Sequence, residues 1–127
     1  MSYKKLILIR GLPGSGKTVD ALTYKSMGYY HFEADQFFIQ NGEYKYDPSQ
    51  IGRAHAQCQL NCLNAMRNSV PIVISNTFVQ RWEMEIYKQL ASVFGYEVEV
   101  IVKKGTWNNI HNVSNEIIAK MKEKWED

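Results

Sequence analysis

The chain has 127 residues, of which 45% are hydrophobic and 22% charged, and its formal net charge is +2. This length and composition predict one domain, residues 1–127, and the nearly balanced charge argues against a protein that coats a polyanion. No apolar run has the length of a membrane span, and two cysteines four residues apart on a predicted helix do not make a disulfide framework. We therefore expect a cytoplasmic protein.

Short apolar runs alternate with segments of helical periodicity along the chain. The predicted strands are residues 6–9, 30–33, 70–75 and 96–102. The predicted helices are residues 17–27, 48–68 and 81–94, and a last helix capped by Ser114. The expected buried positions are Ile51, Ala54, Cys58, Cys62, Ala65 and Met66 on the second helix, and Ile117, Ile118, Met121 and Trp125 on the last.

This alternation of strands and helices predicts an α/β fold with three layers, in which a short parallel sheet is flanked by helices. Residues 36–46 form an excursion between the second strand and the next helix. In parallel sheets, ligands bind beyond the carboxyl ends of the strands. The segments expected to meet there are residues 11–18, Asp35, residues 75–77 and residues 103–111.

The glycine-rich segment at residues 11–18 lies between the first predicted strand and the first predicted helix. It reads GLPGSGKT, which matches the phosphate-loop pattern G-x-x-x-x-G-K-[ST] in full. In that pattern, backbone N–H groups and the helix N-terminus bind phosphate oxygens. We expect a nucleoside triphosphate, ATP with Mg²⁺, to bind Gly11, Pro13, Gly14, Ser15, Gly16, Lys17 and Thr18. Lys17 reaches the β and γ phosphates in this interpretation, and the Thr18 hydroxyl is a ligand of Mg²⁺.

Further motifs follow the loop in a fixed order. They are EADQFF at 33–38, YKYD at 44–47, SNTF at 75–78 and NIHNV at 109–113. Together with the phosphate loop, this set resembles P-loop (AAA-type) ATP-binding proteins of bacteria and phages. It is similar to the kinase domain of phage-type polynucleotide kinase and to the nucleotide-kinase domain of the NEDD4-binding protein family.

The resemblance implies a kinase-type P-loop NTPase fold and transfer of the γ-phosphate of ATP to a hydroxyl, typically the 5′-hydroxyl of a nucleic acid. It places the general base at Asp35 and an arginine from a helical lid over the transferred phosphate. This chain departs from the pattern at two positions, with Phe38 and Asn108 where the resembled proteins often carry arginine. Lys103, Lys104, Arg81 or a partner's arginine is the candidate replacement for the lid charge, and a solvated basic loop is the alternative for the two lysines.

Asp35, at the end of the second predicted strand, is the candidate catalytic base and also a candidate Mg²⁺ ligand, with a turn-capping role as the alternative. Glu33 is a candidate for the same cleft and shares a face with Asp35 only if the strand extends that far, and a solvated carboxylate is the equal alternative. Asn76 and Thr77 are candidate substrate-binding residues, because they are polar side chains at a strand end. Their alternative role is to end the strand.

The remaining candidates are aromatic or lie in the expected lid. Phe38, Tyr44 and Tyr46 stack on bases in one interpretation and pack against the core in the other. His111 and Asn108 are candidate substrate contacts in the lid, and a turn-stabilising role is the alternative for His111. We interpret His55 as a packed or cleft-edge histidine.

The sequence therefore favours a kinase that transfers the γ-phosphate of MgATP to a hydroxyl, with a polynucleotide 5′-hydroxyl as first choice. The alternatives are a kinase of a small metabolite or nucleotide, and an ATP-binding module with low turnover that acts through a partner. Single-stranded nucleic acid ends are accordingly the expected macromolecular partner. The sequence makes no prediction of oligomeric state.

Overall fold

A computed structural model describes residues 4–104 and 114–127 of the chain. The strands are β1 (Lys5–Gly11), β2 (Tyr30–Phe32), β3 (Ile39–Gln40), β4 (Glu43–Tyr44), β5 (Ile72–Asn76) and β6 (Glu97–Lys103). The α-helices are α1 (Lys17–Ser26), α2 (Ile51–Arg67), α3 (Glu85–Phe94) and α4 (Asn115–Lys124). Three 3₁₀ turns complete the regular structure described, at Ala34–Phe38, Pro48–Gln50 and Arg81–Met84.

Within the described residues, four strands form one sheet in the order β2-β5-β1-β6, and each neighbouring pair is parallel. The central strand is β1, where Leu8 is in register with Ile74 on one side and Val100 on the other. Strands β3 and β4 form a small antiparallel hairpin apart from this sheet. Parallel pairing brings the carboxyl ends of β1, β2 and β5 to one edge of the sheet.

The side chains of β1 alternate between the two faces of the sheet, and both faces are covered. Leu6 and Leu8 belong to the core that includes buried residues of α2 and α3. Ile7 and Ile9 pack on the other side with Ala21 of α1. All four side chains of β1 are at most 2% exposed. A strand buried on both faces reads as a continuous apolar run, so the predicted three-layer α/β fold is confirmed.

Several element boundaries differ from the prediction. Strand β2 ends at Phe32, because the chain turns into a 3₁₀ helix directly after Glu33. The excursion at residues 36–46 contains that turn and the β3–β4 hairpin. The predicted helices at 48–68 and 81–94 each begin with a 3₁₀ turn before the α-helix starts.

Two predictions of burial are wrong. Ile51 was expected on the buried stripe of α2 but is 40% exposed at the beginning of the helix. The expected apolar face of α4 is only partly covered: none of its described residues is buried, and Ile117 is 46% exposed. This helix lies over a cavity rather than against the sheet, which explains why its apolar side chains keep solvent contact. Within residues 4–104 and 114–127, no helix combines the length and apolarity needed to cross a bilayer.

Arg10, at the end of β1, is a buried cation with 2% exposure. Its Nε and Nη2 atoms donate to the carbonyl of Phe78 at 3.0 and 2.7 Å, and Nη2 also donates to the carbonyls of Val79 at 3.2 Å and Glu126 at 2.5 Å. The guanidinium carbon lies 4.1 Å from the ring centroid of Trp125. One side chain thus joins β1, the segment after β5 and the segment after α4.

We expect Arg10→Ala to lower the free energy of unfolding by about 2–4 kcal/mol, because each of three buried or partly buried carbonyls loses a hydrogen-bond donor. Arg10→Lys keeps the charge but not the planar fork and should lose about half as much. The measurement is urea unfolding followed by circular dichroism. Arg53→Ala, an exposed position on α2, is the control and should change stability by less than about 0.5 kcal/mol. A loss of the same small size in Arg10→Ala would contradict the interpretation.

Candidate active site

The carboxyl ends of β1, β2 and β5 open into a cavity of about 380 Å³. Its lining comes from segments that are distant in sequence. The segment after β1 contributes Pro13, Lys17 and Thr18, and the segment after β2 contributes Glu33, Asp35 and Phe38. The end of β5 contributes Ser75, Asn76 and Thr77, and α4 contributes Ile117 and Met121. The structure thus places candidate residues from three of the predicted segments around one cavity.

The phosphate loop depends on glycines at positions where a side chain would not fit or would be strained. Gly14 and Gly16 have φ angles of 80° and 97°, in the left-handed region. A Cβ on Gly11 would lie 2.6 Å from the carbonyl oxygen of Lys103 and even closer to Ser15 Oγ. The loop closes with a hydrogen bond from Ser15 N to the carbonyl of Leu12 at 3.1 Å. Helix α1 then begins at Lys17, so its free N–H groups lie beside the loop.

Lys17 is folded back on its own loop, where Nζ donates to the carbonyl of Leu12 at 3.1 Å. Burial lowers the pKa of this ammonium, and the nearby charges of Glu33 and, more weakly, Asp35 act in the opposite direction. Among the described residues, Lys17 is the only lysine or arginine that lines the cavity. The ammonium therefore lies between a polar loop and two carboxylates.

Ser15 provides a test of whether the loop fits a phosphate. Its side chain is 2% exposed, and within the described residues its Oγ atom has no hydrogen-bond partner. An unsatisfied buried hydroxyl is costly unless a ligand supplies the partner. The donor set and this unpaired hydroxyl both fit a phosphate group.

The fit of Mg²⁺ follows from the oxygen atoms near the loop. The described residues contain no cluster of three or more His, Cys, Asp or Glu side chains that could hold a metal ion. Mg²⁺ commonly binds one or two protein oxygens together with substrate phosphates. Thr18 lines the cavity and can supply a hydroxyl, and Glu33 and Asp35 can hold coordinated water. The residues present fit a nucleotide-borne Mg²⁺ better than an ion held by the protein alone.

Glu33 belongs to a compact polar network at the end of the sheet. Ser75 Oγ donates to Glu33 Oε2 at 2.8 Å, and His31 Nε2 lies 2.9 Å from the same Ser75 oxygen and 3.4 Å from Glu33 Oε2. Because Ser75 has one proton and gives it to Glu33, His31 Nε2 acts as the donor to Ser75. The sequence did not decide whether the Glu33 carboxylate lies in the cleft or in solvent. The structure puts it in the cavity, after the strand has ended.

Asp35 lies one residue into the 3₁₀ turn and accepts a hydrogen bond from the Tyr44 hydroxyl at 3.1 Å. Tyr44 is carried by the β3–β4 hairpin, and its hydroxyl reaches back across the cavity edge. Phe38 is 4% exposed and packs edge-on against Tyr44 and Tyr46, with centroids 6.3 and 5.2 Å apart. Phe38 therefore packs against the core, the tyrosines are half exposed, and stacking of these rings on bases stays a prediction.

Asn76 and Thr77 have structural contacts as well as positions in the cavity wall. Asn76 Oδ1 accepts from the backbone N–H of Ala34 at 2.9 Å, which fixes the beginning of the turn that carries Asp35. The carbonyl of Thr77 accepts from Gly11 N at 3.2 Å. Asn108 and His111 lie outside the described residues.

The three candidate replacements for the lid arginine within this chain lie outside the cavity wall. Lys103 pairs with Asp20 of α1, with Nζ and Oδ2 3.0 Å apart, and the cavity lining includes none of Lys103, Lys104 and Arg81. His55, at the edge of the predicted helical stripe, does line it. His31 was missed, because its chemistry depends on a neighbour 44 residues away and no local spacing indicates it.

The loop, the parallel sheet and the cavity at its edge define a P-loop kinase-like domain. A family model described as "AAA domain" matches residues 6–112, and the chain belongs to this family. The chain is 35% identical over 134 residues to human NEDD4-binding protein 2. The aligned region covers 95% of this chain but only 8% of that protein. The chain thus spans a small part of this relative.

Solved structures share the fold at low sequence identity. A chain of the Pnkp1/Rnl/Hen1 complex superposes with a TM-score of 0.66 at 17% identity, over 94% of this chain and 39% of that one. The APS kinase CysC of Mycobacterium tuberculosis, in complex with AMPPNP and APS, superposes with a TM-score of 0.59 at 12% identity. This superposition covers 80% of this chain and 63% of the CysC chain. These matches show that the chain shares the fold of these proteins.

Ser15→Ala should have opposite effects on the free and the nucleotide-bound protein. Removing an unpaired buried hydroxyl should raise the free energy of unfolding of the free protein by about 1 kcal/mol. The same change should weaken MgATP binding about tenfold, because a hydrogen bond to a charged phosphate is lost. Chemical unfolding and calorimetry measure the two quantities. A variant that is less stable without nucleotide would show that the hydroxyl already has a partner.

Proposed function

We propose that this chain is a phosphotransferase that moves the γ-phosphate of MgATP to a hydroxyl group. The observation that carries the proposal is the single cavity in which the loop residues Lys17 and Thr18 face the carboxylates Glu33 and Asp35. A nucleotide at the loop and a hydroxyl at Asp35 would share this space. Catalysis of this kind depends on positioning and electrostatic stabilisation more than on covalent chemistry.

The nucleotide half of the site consists of the loop amides, Ser15, Lys17 and Thr18. In this proposal Lys17 leaves the carbonyl of Leu12 and binds the β and γ phosphates, where its charge is needed. Thr18 is the protein hydroxyl that would hold Mg²⁺. When bound, this ion neutralises charge on the β and γ phosphates.

The two carboxylates have different surroundings, which supports different roles. Glu33 is held by Ser75 and His31 and has the larger electrostatic effect on Lys17. We assign it to the metal side, where it orients coordinated water. Asp35 already accepts a hydrogen bond from a hydroxyl, that of Tyr44. We assign it as the general base that orients the acceptor hydroxyl and takes its proton.

The acceptor of first choice is the 5′-hydroxyl of a polynucleotide. The fold likeness to a chain of the Pnkp1/Rnl/Hen1 complex, also described as an RNA repair complex, supports this class. The half-exposed Tyr44 and Tyr46 offer faces on which a terminal base can stack. Phosphates of a longer strand would then extend away from the cavity toward solvent.

One observation favours a small, phosphate-free acceptor as the second candidate. The described cavity wall has no lysine or arginine besides Lys17, and residues 105–113 contain neither residue type. An acceptor with its own phosphate therefore meets little positive charge. The same shortage supports a third possibility, an ATP-binding module with low turnover that obtains an arginine from a partner.

The proposal is tested with γ-labelled ATP and three matched acceptors: a nucleoside, its 3′-phosphate, and a single-stranded oligonucleotide with a 5′-hydroxyl. We expect MgATP binding by calorimetry and label on the oligonucleotide, with binding of the oligonucleotide weakening as salt rises. Lys17→Ala should reduce transfer by at least about 10²-fold. Preferential labelling of the nucleoside would select the small acceptor. Binding without transfer to any acceptor would select the module, and absence of binding would overturn all three.

The division of roles between the carboxylates predicts different defects. Asp35→Asn should cut turnover about 10²-fold or more and leave MgATP affinity within about threefold. Glu33→Gln should weaken MgATP binding about tenfold, because it disturbs the residue that orients metal-bound water. It should not weaken ATP binding in the presence of a chelator, because the charge that it removes repels the nucleotide. Calorimetry and initial rates provide both readouts, and identical defects in the two variants would contradict the assignment.

A further inference from the structure

The Tyr44 hydroxyl has the position on Asp35 that the mechanism above reserves for a substrate hydroxyl. It donates to Asp35 Oδ1 at 3.1 Å, which is the hydrogen bond expected between an acceptor and its general base. Tyr44 also lines the same cavity as Lys17 and Thr18. A phenol is therefore present where phosphoryl transfer is proposed to take place.

The hairpin holds this phenol in place. The backbone N–H of Lys45 donates to the carbonyl of Phe38 at 2.8 Å, which ties the second strand of the hairpin to the turn that carries Asp35. The Tyr44 ring stacks on Tyr46, with centroids 6.4 Å apart and planes 9° apart, and both rings contact the buried Phe38. A tethered group needs no diffusional encounter, which raises its effective concentration greatly.

The phenol also needs a base before it can react. Phenolic hydroxyls ionise only well above neutral pH. The hydroxyl therefore keeps its proton at neutral pH and is a weak nucleophile until that proton is removed. Asp35 is already in contact with this proton.

We propose that Tyr44 is an intramolecular phosphoryl acceptor, so that the chain phosphorylates itself on this tyrosine. The inference rests on the proposed function, since it uses the same site and the same MgATP. Tyr44 Oη forms a bond to the γ phosphorus while the bond from that phosphorus to the β–γ bridging oxygen breaks. The phenolic proton passes to Asp35, and the products are phosphotyrosine and ADP.

The product would change the site. A phosphate on Tyr44 carries about two negative charges and would lie beside Asp35 and Glu33. Like-charge repulsion would move the hairpin away from the cavity, so the modified chain would present a different acceptor entrance. Modification at Tyr44 would therefore regulate access of other acceptors to the same base.

The experiment uses the full chain with γ-labelled MgATP and no added acceptor, followed by intact mass and tryptic peptide mapping. Lys45 separates Tyr44 from Tyr46, so trypsin places the two tyrosines in different peptides. We expect one phosphate on the Tyr44 peptide, formed at a rate per molecule that does not depend on protein concentration. Tyr44→Phe should remove the label, and Asp35→Asn should slow it about 10²-fold. Tyr30→Phe, at the exposed beginning of β2, is the matched control and should keep the label.

Calorimetry of MgATP binding, run on the same samples, separates the possible failures. If MgATP binds and an added acceptor is phosphorylated while the Tyr44 peptide stays unmodified, the inference is wrong and the proposed function stands. Label on Tyr46 or elsewhere, or label that survives Tyr44→Phe, also overturns it. If MgATP does not bind, the proposed function fails and the inference fails with it.

Discussion

The hydrogen bonds of the Arg10 guanidinium join three parts of the chain that the sheet alone does not hold together. The cation lies at the end of the central strand and binds carbonyls of Phe78, Val79 and Glu126. Burying a charge is costly unless it is paired or fully hydrogen-bonded, so these carbonyls must stay close to the guanidinium. Since Glu126 follows α4, the same contacts hold that helix over the cavity. The wall formed by Ile117 and Met121 thus depends on a residue outside it.

The electrostatics of the cavity explain why the loop backbone must carry much of the phosphate binding. The described wall offers one ammonium, Lys17, against two carboxylates, Glu33 and Asp35. A polyanionic nucleotide would be repelled by these side chains taken together. Backbone N–H groups and the beginning of α1 supply positive potential without side-chain charge, and in the proposed function a divalent ion bound with the nucleotide would supply the rest.

The elements that recur along the chain were predictable, because their signals are local. Continuous apolar runs predicted the strands, and eight consecutive residues predicted the phosphate loop. The contacts made by Arg10 and His31 were not predictable, since their partners lie 68 and 44 residues away. The exposure of Ile117 was missed for a related reason: helical periodicity shows which side of α4 is apolar but not whether a sheet or a cavity lies opposite it.

The end of β5 shows how the two halves of the site are coupled. Ser75 donates to Glu33 and Asn76 accepts from the backbone of Ala34, so consecutive residues of one strand hold the segment that carries both carboxylates. Many P-loop enzymes have a metal-holding aspartate at this strand end, whereas here it carries polar, uncharged side chains. In the proposed function, Glu33 of the neighbouring segment would supply this carboxylate, and Ser75 of β5 holds its side chain. A shift of β5 would therefore displace both Glu33, on the proposed metal side, and Asp35, on the proposed acceptor side. Strand β5 would thus couple the proposed nucleotide and acceptor sites.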